Sequence, residues 1–389
     1  MKNRYVTGLS INILLLGIVS FLNDFSSEMI MPILPMFITS LGGAGFVVGL
    51  IGGLRDSTAS ILKVICGYWS DKTGKRKIFV TSGYLTSSVF KLFLAFSRTC
   101  QHILIFAGLE RVGKGLRTAP RDAIIADSLP KEMGKGFGIH RTLDTSGAIL
   151  GSVVVFLLFW FLAFDFSSII LLAAIIAFLS LIPLHFVKER WRGKKEITFK
   201  IGLKNLPGPL KLFILVSFVF ALANFSYMFF ILRAQGLFAG KLSVGLPILL
   251  YVLFNIFYAM FAIPFGALSD RIGRKKVLVL GYLLFSLTSM GFAIFNSFAT
   301  FILLFALYGM VYAIVDGNQR AFVSDLSSYE LRATALGTFH TAVGLAALPA
   351  SLIAGFLWGL FPELTFIYGS AISLVSVILF VVFRNQMKE

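Results

Sequence analysis

Long blocks of apolar residues constrain this chain more than any other feature of its sequence. Apolar side chains make up 57% of the 389 residues and charged side chains only 14%, whereas about 25% of a soluble domain is charged. The apolar residues fall in runs of roughly 20, the length that a helix needs to cross the hydrocarbon core of a bilayer. The pattern predicts an all-α membrane protein that crosses the bilayer many times.

Apolar runs separated by short polar connections predict twelve transmembrane helices. We expect these spans at residues 9–38, 44–70, 78–97, 101–127, 137–163, 166–187, 210–236, 243–269, 277–296, 299–325, 331–359 and 362–383.

The chain is strongly basic, with 35 Lys and Arg against 18 Asp and Glu, a net charge of +17. Most of the basic residues lie in the amino terminus, in the even-numbered connections and in the carboxyl tail. Cytoplasmic loops accumulate Lys and Arg, so we expect a multi-pass protein of the inner (cytoplasmic) membrane with both termini in the cytoplasm. No basic stripe is interleaved with exposed aromatic residues, so a nucleic-acid partner is not expected.

One charged loop occurs twice in the sequence. Gly67-Tyr-Trp-Ser-Asp-Lys-Thr-Gly-Lys-Arg-Lys77 recurs as Gly266-Ala-Leu-Ser-Asp-Arg-Ile-Gly-Arg-Lys-Lys276. Two copies of one six-helix unit explain this repeat, and such repeats are common in secondary transporters. We therefore expect two pseudo-symmetric six-helix bundles, at 1–187 and 210–389, joined by a basic cytoplasmic linker at 188–209.

These motifs carry a resemblance to a known family. The loop after the second span and again after the eighth resembles the signature loop of the major facilitator superfamily (MFS), and the likeness extends over the whole chain. The segment Arg111-Val-Gly-Lys-Gly115 is similar to the superfamily's R-x-x-x-G pattern. Gly147-Ala-Ile-Leu-Gly151 partly matches its antiporter motif, with Ala148 where Pro is usual. The resemblance is to a bacterial or archaeal member of the drug/proton-antiporter-like branch.

The repeated loop has a structural and a functional interpretation. Its glycines permit tight turns, and Asp71 can accept hydrogen bonds from the amino terminus of a neighbouring helix. The resemblance implies that the aspartates lock one face of the transporter closed, whereas the alternative is that the loop only orients the chain in the membrane. The candidate gating residues are Gly67, Asp71, Gly74, Arg76, Gly266, Asp270, Gly273 and Lys275.

Charged residues within the spans are concentrated in the first half. A charge near the bilayer centre costs at least about 2.5 kcal/mol, so each needs a partner or a wet cavity. Asp24 is expected near the midplane, one turn from Glu28 and level with Arg111, which would control its affinity for a proton. The alternative is a static network of ion pairs. The candidates for proton coupling and the substrate cavity are Asp24, Glu28, Asp56, Glu110, Arg111, Lys114, Arg117, Arg121, His140, Arg141, Asp144 and Asp316.

Together these features favour a secondary active transporter that works by alternating access. We expect a proton-coupled exporter of small organic or amphiphilic compounds, monomeric in the lipid bilayer, without a cofactor or a resident metal and without enzymatic activity. Uptake of organic anions, which the cations of the fourth span would suit, and export of a divalent metal by Asp24, Glu28, His140 and Asp144 stay open as alternatives. A membrane sensor without transport activity is a further alternative.

Overall fold

The protein is helical throughout the part of the chain that the structure describes. This computed structural model describes residues 11–128, 133–189, 206–328, 331–383 and 385–387. Each of the twelve predicted spans coincides with one helix or with two successive helices, which confirms the predicted all-α membrane fold. Most of the linker expected at 188–209 lies outside the described residues, as does the amino terminus up to residue 10.

Fifteen helices are present in the described residues. They are α1 Ile11–Ile30, α2 Leu34–Ser40, α3 Gly45–Thr73, α4 Arg76–Ala95, α5 Cys100–Ser128, α6 Met133–Trp160, α7 Phe166–Leu179, α8 Leu181–His185, α9 Gly208–Ala223, α10 Met228–Gln235, α11 Leu242–Ile272, α12 Arg274–Ile294, α13 Phe298–Asp325, α14 Arg332–Leu360 and α15 Pro362–Val382.

Ten helical segments among the described residues are long and apolar enough to cross a membrane. Helices α3 and α5 each have 29 residues, which is long enough, but they carry several charged side chains near the middle. Those charges include Arg55 and Asp56 on α3 and Glu110 and Arg111 on α5. The two helices that are least apolar therefore bear many of the residues expected to have a function.

Three of the predicted spans are not continuous helices. The first is interrupted at Met31–Ile33, the sixth between α7 and α8, and the seventh between Ala223 and Met228. The first break contains Pro32, whose missing N–H and fixed backbone angle interrupt a helix. At the seventh break Asn224 leaves the helical conformation, with φ −85° and ψ 68°. Breaks of this kind give irregular backbone at membrane depth, which membrane proteins tolerate where it lines a cavity or is buried in protein.

The chain divides into two compact units. The first comprises the described residues within 1–33 and 61–199, and the second comprises those within 34–60 and 200–389. Helix α3 contributes to both units. Its first part belongs to the second unit because Gly49 and Gly53 lie against Ser351 and Leu348 of α14, too close to admit a side chain. Small residues are the usual means by which membrane helices approach one another closely.

In the first unit, α1 and α6 cross at two glycines. A Cβ atom on Gly147 would collide with the backbone carbonyl of Phe21, and one on Gly151 with that of Phe25. The two glycines are four residues apart and so lie on the same face of α6. This close approach fixes the height of α6 relative to α1.

Aromatic side chains fill much of the second unit. Phe230 stacks on Tyr308 with ring centroids 4.1 Å apart and meets Phe292 edge-on at 5.1 Å. All three side chains are at most 2% exposed. Aromatic pairs in these geometries add to the packing energy beyond the area that they bury. These rings therefore pack α10, α12 and α13 of the second unit together.

We predict that Gly147→Ala destabilises the first unit. The added methyl group would push α6 away from the Phe21 carbonyl, and overpacking of this kind costs about 1–3 kcal/mol. Thermal unfolding in detergent would measure the loss. The matched control is Gly138→Ala on the same helix, where a Cβ atom meets nothing within 4 Å. Equal melting temperatures for the two variants would contradict the crossing described above.

Candidate functional site

Two carboxyl side chains face each other in the first unit. Asp24 lies on α1 and Asp144 on α6, and their carboxyl groups interact directly. Asp144 stands about one turn before Gly147, so the close crossing of α1 and α6 brings it to the level of Asp24. Asp144 is 8% exposed. Two carboxyl groups in contact and shielded from water can share one proton, which removes their mutual repulsion.

The fourth-span helix α5 supplies the positive charges around this pair. Lys114 and Arg117 exert the strongest attraction on the Asp24 carboxylate. Arg117 donates to Ser87 Oγ at 2.5 Å and lies over the Tyr84 ring, 4.5 Å from its centroid. A guanidinium that is hydrogen-bonded and stacked in this way has a fixed position. Arg117 therefore keeps a fixed position beside the carboxyl pair.

The expected pairing of Asp24 with Arg111 is not the arrangement in the structure. Arg111 Nε lies 3.2 Å from Glu110 Oε2, and Nη2 lies 3.1 Å from the sulfur of Met31. Depth along the helix placed Arg111 at the level of Asp24, but depth alone does not fix the direction in which a side chain points around the helix. The residues on the Asp24 side are Lys114 and Arg117, which are three residues apart on one face of α5.

A hydrogen-bond network extends from this cluster through Ser20. The Ser20 hydroxyl oxygen lies 2.7 Å from His140 Nε2 and 3.2 Å from the Tyr84 hydroxyl, and it accepts from Arg121 at 3.1 Å. Since Arg121 occupies an acceptor position of Ser20, the serine can donate its single proton to His140. His140, which is 4% exposed, thus belongs to a network of hydroxyl groups. Arg121 also binds Asp122 at 2.9 Å.

Lys91 is a buried cation that the sequence analysis did not include among the candidates. Its side chain is 1% exposed and donates to Ser26 Oγ and Ser27 Oγ, both at 2.9 Å, and to the carbonyl of Asn23 at 3.4 Å. All three acceptors lie on α1 next to Asp24. A lone lysine within an apolar span was the signal that could have identified it. Lys91 holds α4 against the segment of α1 that carries Asp24.

The first copy of the repeated loop forms a compact ion-pair cluster. Arg76 binds Asp71 Oδ1 at 2.6 Å and Asp127 Oδ2 at 2.6 Å. The backbone N–H of Arg76 also donates to the Glu189 carboxylate. Gly74 has φ +68°, in the left-handed region that glycine adopts without strain. The loop therefore ties the ends of three elements together: α3, α4 and α5.

The second copy repeats this cluster with a different basic residue. Arg274 binds Asp270 at 3.1 Å, together with Asp325 and, at 3.2 Å, the Ser269 hydroxyl. Aligning the two loops residue by residue pairs Arg76 with Lys275, yet Lys275 Nζ lies over the Phe322 ring, 5.9 Å from its centroid. The bridging position therefore belongs to Arg274. The nearby Gly273, with φ +94°, allows the turn.

The remaining candidates are distributed between the units. Glu28 lies about one turn beyond Asp24 on α1, and Arg141 binds Asp144 at 3.2 Å. Asp56 belongs instead to the second unit, where its charge acts on Tyr308 and Tyr312. Two candidate glycines of the loops remain. A Cβ atom added at Gly67 would lie 3.1 Å from Ala119, whereas one added at Gly266 would meet nothing within 4 Å.

Asp316 lies on α13 of the second unit beside a cavity. Its Oδ2 atom accepts from Arg320 at 2.6 Å and from the Tyr258 hydroxyl at 3.0 Å. The described residues contain no group of three or more His, Cys, Asp or Glu side chains that could hold a metal ion. The four ligands considered for a divalent metal, Asp24, Glu28, His140 and Asp144, thus do not assemble into such a group.

Comparisons with known proteins agree with this architecture. The family model of the Major Facilitator Superfamily matches residues 16–238 and 213–389. An uncharacterized MFS-type transporter of Methanocaldococcus jannaschii is 60% identical over 375 residues, which cover 95% of this chain and 94% of that protein. The multidrug resistance protein MdtH of Aeromonas hydrophila is 30% identical over 147 residues, 37% of this chain and 36% of that protein.

Solved structures show the same fold. A crystal structure of the nucleoside transporter NupG superposes with a TM-score of 0.77 at 16% identity and covers 97% of this chain and 99% of its own. At that identity the likeness concerns the fold alone. Together with the family match over both halves and the relative at 60% identity, it establishes that the protein belongs to the major facilitator superfamily and is a membrane transporter of the MFS type.

Proposed function

We propose that this transporter couples substrate movement to protons through the Asp24–Asp144 carboxyl pair, by alternating access. The observation that carries the proposal is the close crossing of α1 and α6 at Gly147 and Gly151, which brings Asp24 and Asp144 to the same level on facing helices. Two carboxylates side by side repel each other, and binding one proton between them relieves that repulsion. Lys114 and Arg117 compensate the remaining negative charge.

Release of the proton requires a change in the exposure of the carboxyl pair to water. When the cavity opens and water reaches the carboxyl groups, the cost of two separate charges falls, because water solvates each of them. The proton can then leave on the side to which the cavity has opened. The energy is sufficient, since one charge moving down 100 mV supplies about 2.3 kcal/mol, enough for roughly fiftyfold accumulation.

We propose that the protein exports small organic or amphiphilic compounds. The name of the Aeromonas relative, a multidrug resistance protein, supports export. Uptake of organic anions would require cations that are available to a substrate. Lys114 and Arg117 instead act on the Asp24 carboxylate, and Arg121 pairs with Asp122. These cations therefore already have carboxylate partners within the protein.

The repeated loops are proposed as gates in a monomeric protein of the cytoplasmic membrane with both termini inside. Each loop joins an arginine to two aspartates from different helices, which stiffens one end of its unit. Stiff helix ends let a bundle move as a body when access alternates. The orientation rests on the distribution of Lys and Arg, and a fluorescent reporter fused after Glu389, active only in the cytoplasm, checks it.

Substitution of either carboxyl group should abolish coupling. In proteoliposomes loaded with a pH-sensitive dye, we expect Asp24→Asn and Asp144→Asn each to reduce substrate-induced proton movement to the level of empty liposomes. Exchange of substrate without net movement should persist, because the cavity is still present. A panel of organic cations, anions and neutral amphiphiles would supply the substrates.

Asp165→Asn is the matched control for this experiment. Asp165 caps the amino terminus of α7 through a bond to the Ser168 N–H, and asparagine caps equally well. The control should couple like the wild type. Normal proton movement in both Asp24→Asn and Asp144→Asn would contradict the proposal and direct attention to Glu28.

The stability and the gating role of the second loop should depend on Arg274 and not on Lys275. Arg274→Gln leaves Asp270 and Asp325 without their shared cation, and we expect a loss of about 1 kcal/mol of stability, since these groups are partly exposed. Transport should fall as well. Lys275→Gln removes the same charge but breaks neither of these ion pairs. Thermal unfolding and flux that respond equally to both substitutions would show that only net charge matters.

A further inference from the structure

A cavity in the second unit has a lining that selects for one kind of ligand. Its volume, counting the part that is open to the exterior, is about 530 Å³. Residues of α9, α13 and α14 and the break after α9 form its wall: Ser217, Phe220, Ala221, Asn224, Val311, Tyr312, Val315, Asp316, Gln319 and Val343.

The wall presents donors and acceptors, and its acceptors include the Asp316 carboxylate and the side-chain oxygens of Gln319 and Asn224. The Gln319 amide NH₂ donates to Tyr282 at 2.8 Å, which leaves its carbonyl oxygen to meet a ligand. Asn224 Oδ1 has no hydrogen-bond partner among the described residues. The cavity therefore offers oxygen atoms, and a ligand that satisfies them must carry N–H or O–H donors.

The electrostatic surroundings of the cavity add negative charge. The charges of Asp316 and Asp56 both act on Tyr312, which stands in the cavity wall. Helix α9 ends at Ala223, beside Asn224, and the carboxyl end of a helix carries a partial negative charge. Asp316 and the end of α9 lie at the cavity wall itself, and Asp56 acts on Tyr312 from α3.

Arg320 balances one of these charges in the empty cavity. Both Arg320 and Tyr258 donate to the same oxygen of Asp316, Oδ2. A carboxylate has about four lone-pair positions, so one carboxylate can accept several donors. An ammonium group that binds at Asp316 therefore shares this carboxylate with Arg320.

Aromatic rings complete the site. Phe220 and Tyr312 belong to the wall, and the Tyr308 ring packs against Tyr312 with centroids 5.2 Å apart. The faces of such rings attract an ammonium group and also pack against the flat part of a ligand. Valine and alanine side chains supply the rest of the surface.

We propose that this cavity is the subsite for a protonated amine that carries an aromatic or other apolar body, with the ammonium group at Asp316 and Asn224 and the apolar part against Phe220 and Tyr312. The inference rests on the proposed transport function and names the class of substrate. The proposal predicts that the cavity distinguishes two ligands of the same shape by the sign of their charge.

Tryptamine and indole-3-acetate provide the test, since they share a ring and differ in the sign of their charge at neutral pH. Isothermal titration of the purified full-length protein in detergent should show that tryptamine binds at least about tenfold more tightly than indole-3-acetate. Asp316→Asn should weaken tryptamine about tenfold or more, the loss typical of a charge-assisted hydrogen bond. Asp165→Asn should bind as the wild type does. Should Asp316→Asn not give a cooperative melting transition, Asn224→Ala takes its place, with weaker binding expected.

Equal affinity for the two ligands, or unchanged tryptamine affinity in a folded Asp316→Asn or Asn224→Ala protein, would overturn the proposal. Binding is measured without a pH gradient, so it is independent of proton coupling. Selective tryptamine binding without proton movement would leave the amine site intact and refute the coupling proposal. Coupled flux of other compounds without tryptamine binding would refute the amine site and leave the coupling proposal intact.

Discussion

The contact between Asp24 and Asp144 depends on how closely two helices approach in the first unit. Gly147 and Gly151 leave no room for a side chain between α6 and the carbonyls of α1, so the carboxyl groups one turn away are forced to the same level. In an apolar medium this contact would be unfavourable with both groups charged. We propose that a proton between them, together with the nearby cations, makes the arrangement stable.

The surrounding residues hold this contact in place. Lys91 fastens α4 to α1 through two serines next to Asp24, and Arg117 is fixed by Ser87 and by the Tyr84 ring. These side chains bring compensating charge to the carboxyl pair without an exposed surface. The second unit has a different character, since aromatic packing dominates it and its cavity presents oxygen atoms to a ligand. On this account the first unit binds the proton and the second recognises an apolar amine.

The fold could be predicted from the sequence because membrane helices are recognisable by their length and apolarity, and the repeated loop revealed two halves. The break at Met31–Ile33 has a sequence signal in Pro32, whereas the break after Ala223 falls within a run that stays largely apolar, so the apolar pattern does not reveal it. Rotation about the helix axis was the main obstacle at the site. Depth placed Arg111 opposite Asp24, whereas the side chains on that face are Lys114 and Arg117. Likewise, alignment of the loops selected Lys275, while the geometry of the turn gives the ion pairs to Arg274.

The shared proton itself is the central claim, and infrared spectroscopy can observe it directly. A protonated carboxyl group has a C=O stretching band that a carboxylate lacks. In mildly acidic buffer the wild-type protein should show such a band, and Asp24→Asn and Asp144→Asn should each weaken it, because either substitution removes the mutual repulsion that favours a shared proton. A spectrum without the band in the wild type, or with the band unchanged in both variants, would contradict the account.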